Sequence, residues 1–113
     1  MNKKVREVVF YKDYFFDFIG TVSLKVKEKI DWTLKLLENI EQIPKEYLKH
    51  IEGTNGLYEI RVQYGSNIFR IFCFFDKGKI IVLANGFQKK TKKTPPQEIE
   101  KALKIKEAYE KEK

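Results

Sequence analysis

Three apolar runs lie between Leu57 and Phe87, and the breaks between them have the composition of tight turns. The first break contains Gly65-Ser66-Asn67 and the second contains Asp76-Lys77-Gly78. Glycine, asparagine and aspartate tolerate the positive φ angles that short hairpin turns need. Because each run has the length of a strand, the sequence predicts an antiparallel meander of three strands. The rest of the chain is expected to pack around this meander.

Side-chain alternation in the first two predicted strands indicates which residues share a face. In the first strand the apolar residues fall on one face, and Glu59, Arg61 and Gln63 fall on the other. The second strand is apolar on both faces, as is typical of a central strand, apart from Arg70. An unpaired buried guanidinium costs about 3–5 kcal/mol. Arg70 therefore has two interpretations: a structural ion pair, with Glu59 as the partner, or an arginine kept at a concave site to hold phosphate.

The composition favours one folded domain that binds polyanions. The chain has 113 residues, a hydrophobic content of 42% and a formal charge of +7. That length supplies one core, so we expect a single domain over residues 1–113. The positive charge favours nucleic acid, the ribosome, an acidic protein or an anionic membrane surface, and charge does not choose among them.

The cysteine and histidine content argues against a metal site. Cys73 is the one cysteine and lies in an apolar run, where a small buried hydrophobe is favoured over a nucleophile. His50 is the one histidine and invites a general-base role, but a surface or partly packed histidine is favoured because nothing nearby in sequence orients it. One cysteine and one histidine do not make a usual structural zinc site. We therefore expect no metal and no cofactor.

The hydropathy pattern argues against membrane insertion and export. No apolar run reaches the length of a membrane span. The basic start, residues 1–4, leads into a strand-like segment rather than a signal-peptide core. We therefore expect a cytoplasmic protein that has no membrane partner.

Two helices are predicted before the meander. A strand over Val5–Tyr11 precedes a short helix over Tyr14–Ile19. A longer helix, capped by Thr21 or Ser23, then runs to about Asn39 with apolar residues at helical spacing and a basic opposite side. Such a helix fits a layer resting on the sheet. A helix lying on a membrane is less favoured because its apolar stripe is needed for the core.

The segment before the meander is ambiguous, whereas the segment after it is helical. Residues 45–52 fit either a helical turn or an extended segment entering the sheet. Thr94 is predicted as the N-cap of a C-terminal helix from about Pro96 to Tyr109, with prolines in its opening turn. The predicted fold class is therefore α+β: β-α-α, an antiparallel meander and a final helix, with helices packed on a twisted sheet.

A cluster of lysines with no acidic residue follows the third strand of the meander. It comprises Lys89, Lys90, Lys92 and Lys93. Runs of lysine are usually solvated surfaces, which is the alternative to a binding site here. Crowding by other cations lowers the pKa of a lysine, so such a cluster can also supply a proton acceptor.

Three segments of this region resemble the phage-derived, HigB-like branch of the RelE/ParE toxin superfamily. They are Gly56-Leu-Tyr-Glu-Ile-Arg61, Asn67-Ile-Phe-Arg-Ile-Phe72 and Gly86-Phe-Gln-Lys-Lys-Thr91, with Thr94-Pro95 before Glu98-Ile99. The resemblance implies a small RelE-like toxin of a type II toxin–antitoxin pair. Such toxins cut messenger RNA in the ribosomal A site through the 2′-hydroxyl and without a metal. The resemblance also implies a helix-turn-helix antitoxin as partner, and a toxin–antitoxin heterotetramer is one expected assembly.

Motif matching to this branch also implies roles for individual residues. Arg70 matches a phosphate clamp, Arg61 a second phosphate contact, and Lys89 or Lys90 a base or transition-state stabiliser. The further RNA-binding candidates are Lys92, Lys93, Phe87 and Tyr64. For the two aromatic residues among them, base stacking is the functional role and core packing is the favoured alternative.

Other branches of the superfamily leave alternatives open. Several relatives use a C-terminal tyrosine or histidine near the active site, whereas residues 92–95 of this chain contain neither. The ParE branch poisons DNA gyrase instead of cutting RNA, and a shared fold does not decide between these targets. The alternative function is therefore a non-catalytic binding module: a gyrase-poisoning toxin or a basic RNA-binding protein.

Overall fold

The computed structural model describes residues 3–113 and has the predicted α+β architecture. Met1 and Asn2, which belong to the basic start considered above, lie outside the described residues. The elements are β1 (Glu7–Phe10), α1 (Tyr14–Ile19), α2 (Leu24–Asn39), β2 (Leu48–His50), β3 (Tyr58–Tyr64), β4 (Asn67–Asp76), β5 (Ile80–Lys89) and α3 (Pro96–Glu112).

The five strands form one mixed sheet in the order β1-β5-β4-β3-β2. The predicted meander β3-β4-β5 is confirmed, since both pairs are antiparallel. Gly65 has a φ of 61° in the first turn, and Lys77 and Gly78 have φ angles of 54° and 77° in the second. β1 pairs in parallel with β5, and β2 pairs antiparallel with β3. The ambiguous segment 45–52 therefore contributes an edge strand.

Helices α1 and α2 cover one face of the sheet, which we call the α1/α2 face. Ser23 is the cap of α2, because its hydroxyl oxygen accepts a hydrogen bond of 3.3 Å from the backbone N–H of Val26. Cys73 is fully buried on this face, where burial raises the pKa of its thiol, so its predicted role as a small hydrophobe is confirmed. The strand residues buried on this face are Ile60, Val62, Phe69, Ile71, Cys73, Ile81 and Leu83.

Helix α3 packs on the opposite face, which we call the α3 face, against β4 and β5. Ala102 and Ile105 are buried there with Phe72, Phe74 and Val82. The predicted N-cap is wrong by one residue: the cap position is Pro95 rather than Thr94, because the Pro95 carbonyl accepts the first helical hydrogen bond. At the other end of α3, the Tyr109 hydroxyl donates a hydrogen bond of 2.6 Å to Asp76, and Lys113 donates one of 2.7 Å. The C-terminal part of the helix is thus fixed to Asp76 at the end of β4.

A β-bulge in β5 decides which of its residues reach the α3 face. Ile71 is paired with Gly86, whereas Cys73 is paired with Leu83, so the register shifts between them. Gly86 therefore faces α1, where an added Cβ would lie 2.5 Å from the ring of Phe18. A glycine is required at this position because that contact leaves no room for a side chain.

Candidate nucleic-acid interface

Charged side chains collect on the part of the α3 face that lies beside helix α3. Residues directly opposite each other in neighbouring strands point to the same face, so the register defines rows of neighbours. Three rows cross this part of the sheet: Lys49, Glu59 and Phe72; Arg61, Arg70 and Phe87; and Gln63, Ile68 and Lys89.

A cleft of about 440 Å³, here called the cationic cleft, opens over these rows. β2 and β3 form one side of it, and the end of β5, the following loop and the first turn of α3 form the other. Four cationic side chains and two carboxylates contribute to its lining: Lys49, Arg61, Lys89, Lys93, Glu52 and Glu59. Positive charge therefore dominates a concave surface of the size that one nucleotide needs.

Glu59 lies between two arginines on the floor of the cationic cleft. Its Oε2 atom is 3.5 Å from Nε of Arg61, and its Oε1 atom is 3.7 Å from Nε of Arg70. Like charges directly opposite each other in a sheet repel, and Arg61 is paired directly with Arg70. The carboxylate of Glu59 therefore offsets a repulsion that the strand register creates.

Arg70 lies beneath the cleft rather than in its lining. Its side chain is 7% exposed, and Nη1 donates a hydrogen bond of 3.1 Å to the carbonyl of Phe69. Burial lowers the pKa of the Arg70 guanidinium, the charge of Glu59 raises it, and the charge of Arg61 lowers it further. The geometry thus matches the ion pair with Glu59, and the positive charge of Arg70 lies directly below the cleft floor.

The structure brings together some of the other predicted site residues. Arg61, Lys89 and Lys93 line the cationic cleft. Lys90 and Lys92 line an adjoining depression of about 390 Å³, which shares Lys89 with the cleft. Together the two hollows form a continuous basic surface around the end of β5.

The two predicted stacking residues do not line the cationic cleft. Phe87 is partly buried on the α3 face, with its ring centroid 5.6 Å from that of Phe72. Tyr64 follows Ile60 and Val62 in the alternation of β3, so it lies on the α1/α2 face, away from the cleft. Its side chain is 42% exposed.

His50 borders the cleft, but its ring is held on the other side of β2. Its Nε2 atom is 3.1 Å from the carbonyl oxygen of Thr54, and its ring packs edge-on against Tyr58 at a centroid distance of 5.2 Å. Tyr58 packs against the core of the α1/α2 face. The structure therefore matches the partly packed surface histidine rather than a base pointing into the cleft.

Sequence reasoning missed the part that β2 plays. Lys49 enters the site because β2 pairs with β3 and places it opposite Glu59. No strong pattern marks this three-residue strand, since its place depends on pairing with a distant segment. Glu59 carried a usable signal, because its alternation with Arg61 puts both on the polar face of β3.

The lysines at the end of β5 are electrostatically uncompensated. Within residues 3–113, no carboxylate lies within 4 Å of the ammonium of Lys89, Lys90, Lys92 or Lys93. In a depression of similar volume along α3, about 450 Å³, one of the two lysines is paired, since Lys104 lies 3.3 Å from Glu100. Unpaired cations in a concave site favour binding of an anion.

Residues 3–113 contain neither a candidate metal site nor a helix that could span a membrane. That range contains no group of three or more His, Cys, Asp or Glu side chains placed to hold a metal ion. No helix within it is both long enough and apolar enough to cross a membrane.

Comparison with known proteins identifies one matching family. The family model described as "Phage derived protein Gp49-like (DUF891)" matches residues 17–107. The matched range includes all the charged residues of the cationic cleft and of the adjoining depression. No curated protein matches the chain.

Proposed function

Since this chain belongs to the phage-derived Gp49-like family, which is RelE-like and toxin-like, we propose that it is the toxin of a type II toxin–antitoxin pair. Within that class, we assign it to the HigB-like branch, as a ribosome-dependent endoribonuclease that cuts messenger RNA. The observation that best supports this proposal is the cationic cleft, where Arg61, Lys89 and Lys93 come together from distant parts of the chain.

RNA cleavage through the 2′-hydroxyl has chemical requirements that a cleft of this composition can meet. The reaction needs a base for the hydroxyl proton, an acid for the leaving oxygen and cations that stabilise the charge of the pentacoordinate phosphorus. Arg61 is the phosphate contact in our proposal, and Lys89 and Lys93 stabilise the transition state. Arg70 adds its charge from below the floor of the cleft.

The adjoining depression extends the proposed RNA path beyond one nucleotide. Lys90 and Lys92 line it and are exposed, so they are available to contact phosphates that flank the cleaved bond. The substrate in this proposal is messenger RNA in the ribosomal A site, which places the protein in the cytoplasm. The proposed partner is a helix-turn-helix antitoxin, which holds the toxin inactive in a heterotetramer.

The test is expression of the chain without a partner, followed by primer extension on translated messages. We expect growth arrest and cuts in phase with codons. Lys89→Ala should slow cleavage about 10²-fold, because it removes a cation that opposes transition-state charge. Lys35→Ala is the matched control, since Lys35 is an exposed lysine of α2 paired with Asp31 at 2.9 Å.

Two results would contradict the proposal in different ways. Intact messages together with double-strand DNA breaks would identify the gyrase-poisoning alternative. Equal loss of cleavage in Lys89→Ala and Lys35→Ala would contradict the assignment of the reaction to the cleft, because a lysine outside it would matter as much as one inside it.

A further inference from the structure

We propose that Glu59 is the general base of the cleavage reaction and that Arg61 shields it until the substrate phosphate replaces Glu59 as the counter-ion of Arg61. This inference rests on the proposed endoribonuclease function. It assigns the proton acceptor to a carboxylate on the floor of the cationic cleft, between Arg61 and Arg70.

The first observation behind this assignment is that Glu59 is held loosely. Both of its contacts, at 3.5 Å to Arg61 and 3.7 Å to Arg70, exceed the usual 2.7–2.9 Å of an N–H donor to a carboxylate. Within residues 3–113, the buried Oε1 atom of Glu59 and the buried Nε atom of Arg70 have no hydrogen-bond partner. Buried polar groups are almost always paired, so two adjacent unpaired atoms indicate an arrangement that is incomplete without a ligand.

The second observation is the layered position of the three charges. Arg61 is 31% exposed at the wall of the cleft, Glu59 is 8% exposed below it, and Arg70 is 7% exposed beside Glu59. A phosphate that enters the cleft therefore meets the guanidinium of Arg61 first. Since a guanidinium forms bidentate contacts with phosphate and Arg61 lies as far as 3.5 Å from Glu59, Arg61 is drawn toward the phosphate, and the carboxylate is uncovered.

The third observation concerns the other groups that line the cleft. Its lysines and Arg61 are most useful as cations, because the pentacoordinate phosphorus carries additional negative charge. A lysine must first lose its proton to act as a base, whereas carboxylates are in general ionised at neutral pH. Of the two carboxylates in the lining, Glu59 lies on the floor between Arg61 and Arg70, and Glu52 is exposed at the edge.

The reaction step then balances within the cleft. Glu59 takes the proton of the 2′-hydroxyl, and the 2′ oxygen forms a bond to phosphorus. The bond from phosphorus to the 5′ oxygen breaks, and that oxygen receives a proton from an ammonium group, for which Lys89 and Lys93 are available. The products are a 2′,3′-cyclic phosphate and a 5′-hydroxyl, and no redox partner or metal takes part.

The experiment measures single-turnover cleavage of ribosome-bound messenger RNA against pH, for the wild type, Glu59→Gln, Glu59→Asp and Glu28→Gln. We expect Glu59→Gln to cut at least about 10²-fold more slowly and to lose the fall in rate on the acid side of the profile. Glu59→Asp keeps the charge beside Arg70 but withdraws the carboxylate, so it should cut more slowly and keep the acid limb. Glu28→Gln is the control, since Glu28 is an exposed carboxylate of α2 paired with Lys25.

Two further measurements separate catalysis from folding. Thermal unfolding establishes that each variant is folded, and Glu59→Asp serves in place of Glu59→Gln if the loss of charge beside Arg70 unfolds the chain. Binding of RNA with 2′-deoxy nucleotides, which cannot be cleaved, should be within a few-fold of wild type in folded variants.

The outcomes distinguish this inference from the proposed function. Wild-type rates in both Glu59 variants, or an acid limb that persists unchanged in Glu59→Gln, would overturn the assignment and leave the endoribonuclease function standing. A wild-type chain that leaves translated messages intact would overturn the endoribonuclease function, and the assignment of Glu59 would fall with it.

Discussion

Helix α2 and the cationic cleft are both rich in lysine, but their charges are arranged differently. On α2, two of the four lysines are paired, since Lys25 lies 3.9 Å from Glu28 and Lys35 lies 2.9 Å from Asp31, and Lys29 lies over the ring of Trp32. Lys89 and Lys93 of the cleft have no carboxylate within 4 Å in residues 3–113. The pairs of α2 join residues one helical turn apart, whereas the cleft gathers cations from three strands and a loop.

This difference shows why the number of lysines does not locate a binding site. Exposed ion pairs at helical spacing contribute about 0.3–0.5 kcal/mol each and leave little net field. Unpaired cations in a concave surface reinforce one another and attract a polyanion. We therefore expect changes in the cleft to affect RNA strongly and matched changes on α2 to have little effect.

Charge reversal should produce the largest contrast between the two surfaces. Arg61→Glu places a further carboxylate beside Glu59, so we expect growth arrest to disappear and cleavage to fall more than about 10³-fold. Lys27→Glu on the exposed side of α2 should change cleavage less than about threefold, because Lys27 lies outside the cationic cleft. Growth curves and primer extension at matched protein levels measure both. Similar losses of cleavage in Arg61→Glu and Lys27→Glu would contradict the difference between the cleft and α2.

The packing of α1 behind the cleft gives the next largest effect. Gly86→Ala inserts a methyl group 2.5 Å from the ring of Phe18, so α1 must shift. We expect a loss of about 1–3 kcal/mol in the free energy of unfolding, measured by urea denaturation. In contrast, Gly20→Ala meets its nearest atoms only at 3.6 Å and has a helical φ of −63°, so it should be neutral or slightly stabilising. Equal stability of the two variants would contradict the close contact.

The salt dependence of RNA binding sharpens the comparison further. For single-stranded RNA, the logarithm of affinity falls with the logarithm of salt concentration, with a slope of about −0.7 for each phosphate neutralised. Lys93→Ala should therefore make the slope shallower by about 0.7, and Lys35→Ala should leave it unchanged. Fluorescence anisotropy over a series of salt concentrations gives the slopes. A shallower slope in Lys35→Ala alone would place the phosphate contacts on α2.

The smallest expected effect concerns the contacts that hold the end of α3 to Asp76. It is a change in their contribution to stability at acid pH. Hydrogen bonds from Lys113 and Tyr109 lower the pKa of Asp76 below its ordinary value. A carboxyl whose pKa is lower in the folded chain stabilises the fold above its ordinary pKa, and this contribution is lost as the pH falls. The difference in Tm between wild type and Asp76→Asn should therefore shrink below about pH 4.

The control for this prediction is Asp31→Asn, which removes an exposed ion pair of α2. Its Tm should stay close to that of wild type over the whole pH range, because exposed pairs contribute little. A Tm difference for Asp76→Asn that is the same at pH 7 and at about pH 3 would contradict the linkage.

Local chemistry explains why most elements could be predicted from the sequence. The turns around Gly65 and Gly78 carry their own conformational signals, and the cap at Ser23 lies next to a clear helical pattern. The position of Tyr64 away from Arg61 could also have been predicted, because alternation in β3 puts the two residues on opposite faces of the sheet. Periodicity and turn residues act over a few positions, so they can be recognised in the sequence without knowledge of the rest of the fold.

The parts that could not be predicted depend on pairing between distant segments. The place of Lys49 in the site follows from the pairing of β2 with β3, and nothing within residues 45–52 fixes that register. The bulge of β5 between Leu83 and Gly86 turns Phe87 toward the α3 face, which simple alternation along β5 does not reveal. The direct opposition of Arg61 and Arg70, with Glu59 between them, likewise requires the register of two strands.

The most direct test of the central claim is a chemical-shift map of the ¹⁵N-labelled protein titrated with a short single-stranded RNA. We expect the largest shifts at Lys49, Glu59, Arg61, Lys89 and Lys93, with the amides of α2 nearly unchanged. Shifts concentrated on Lys25, Lys27, Lys29 and Lys35 of α2, with the cleft unchanged, would contradict the claim.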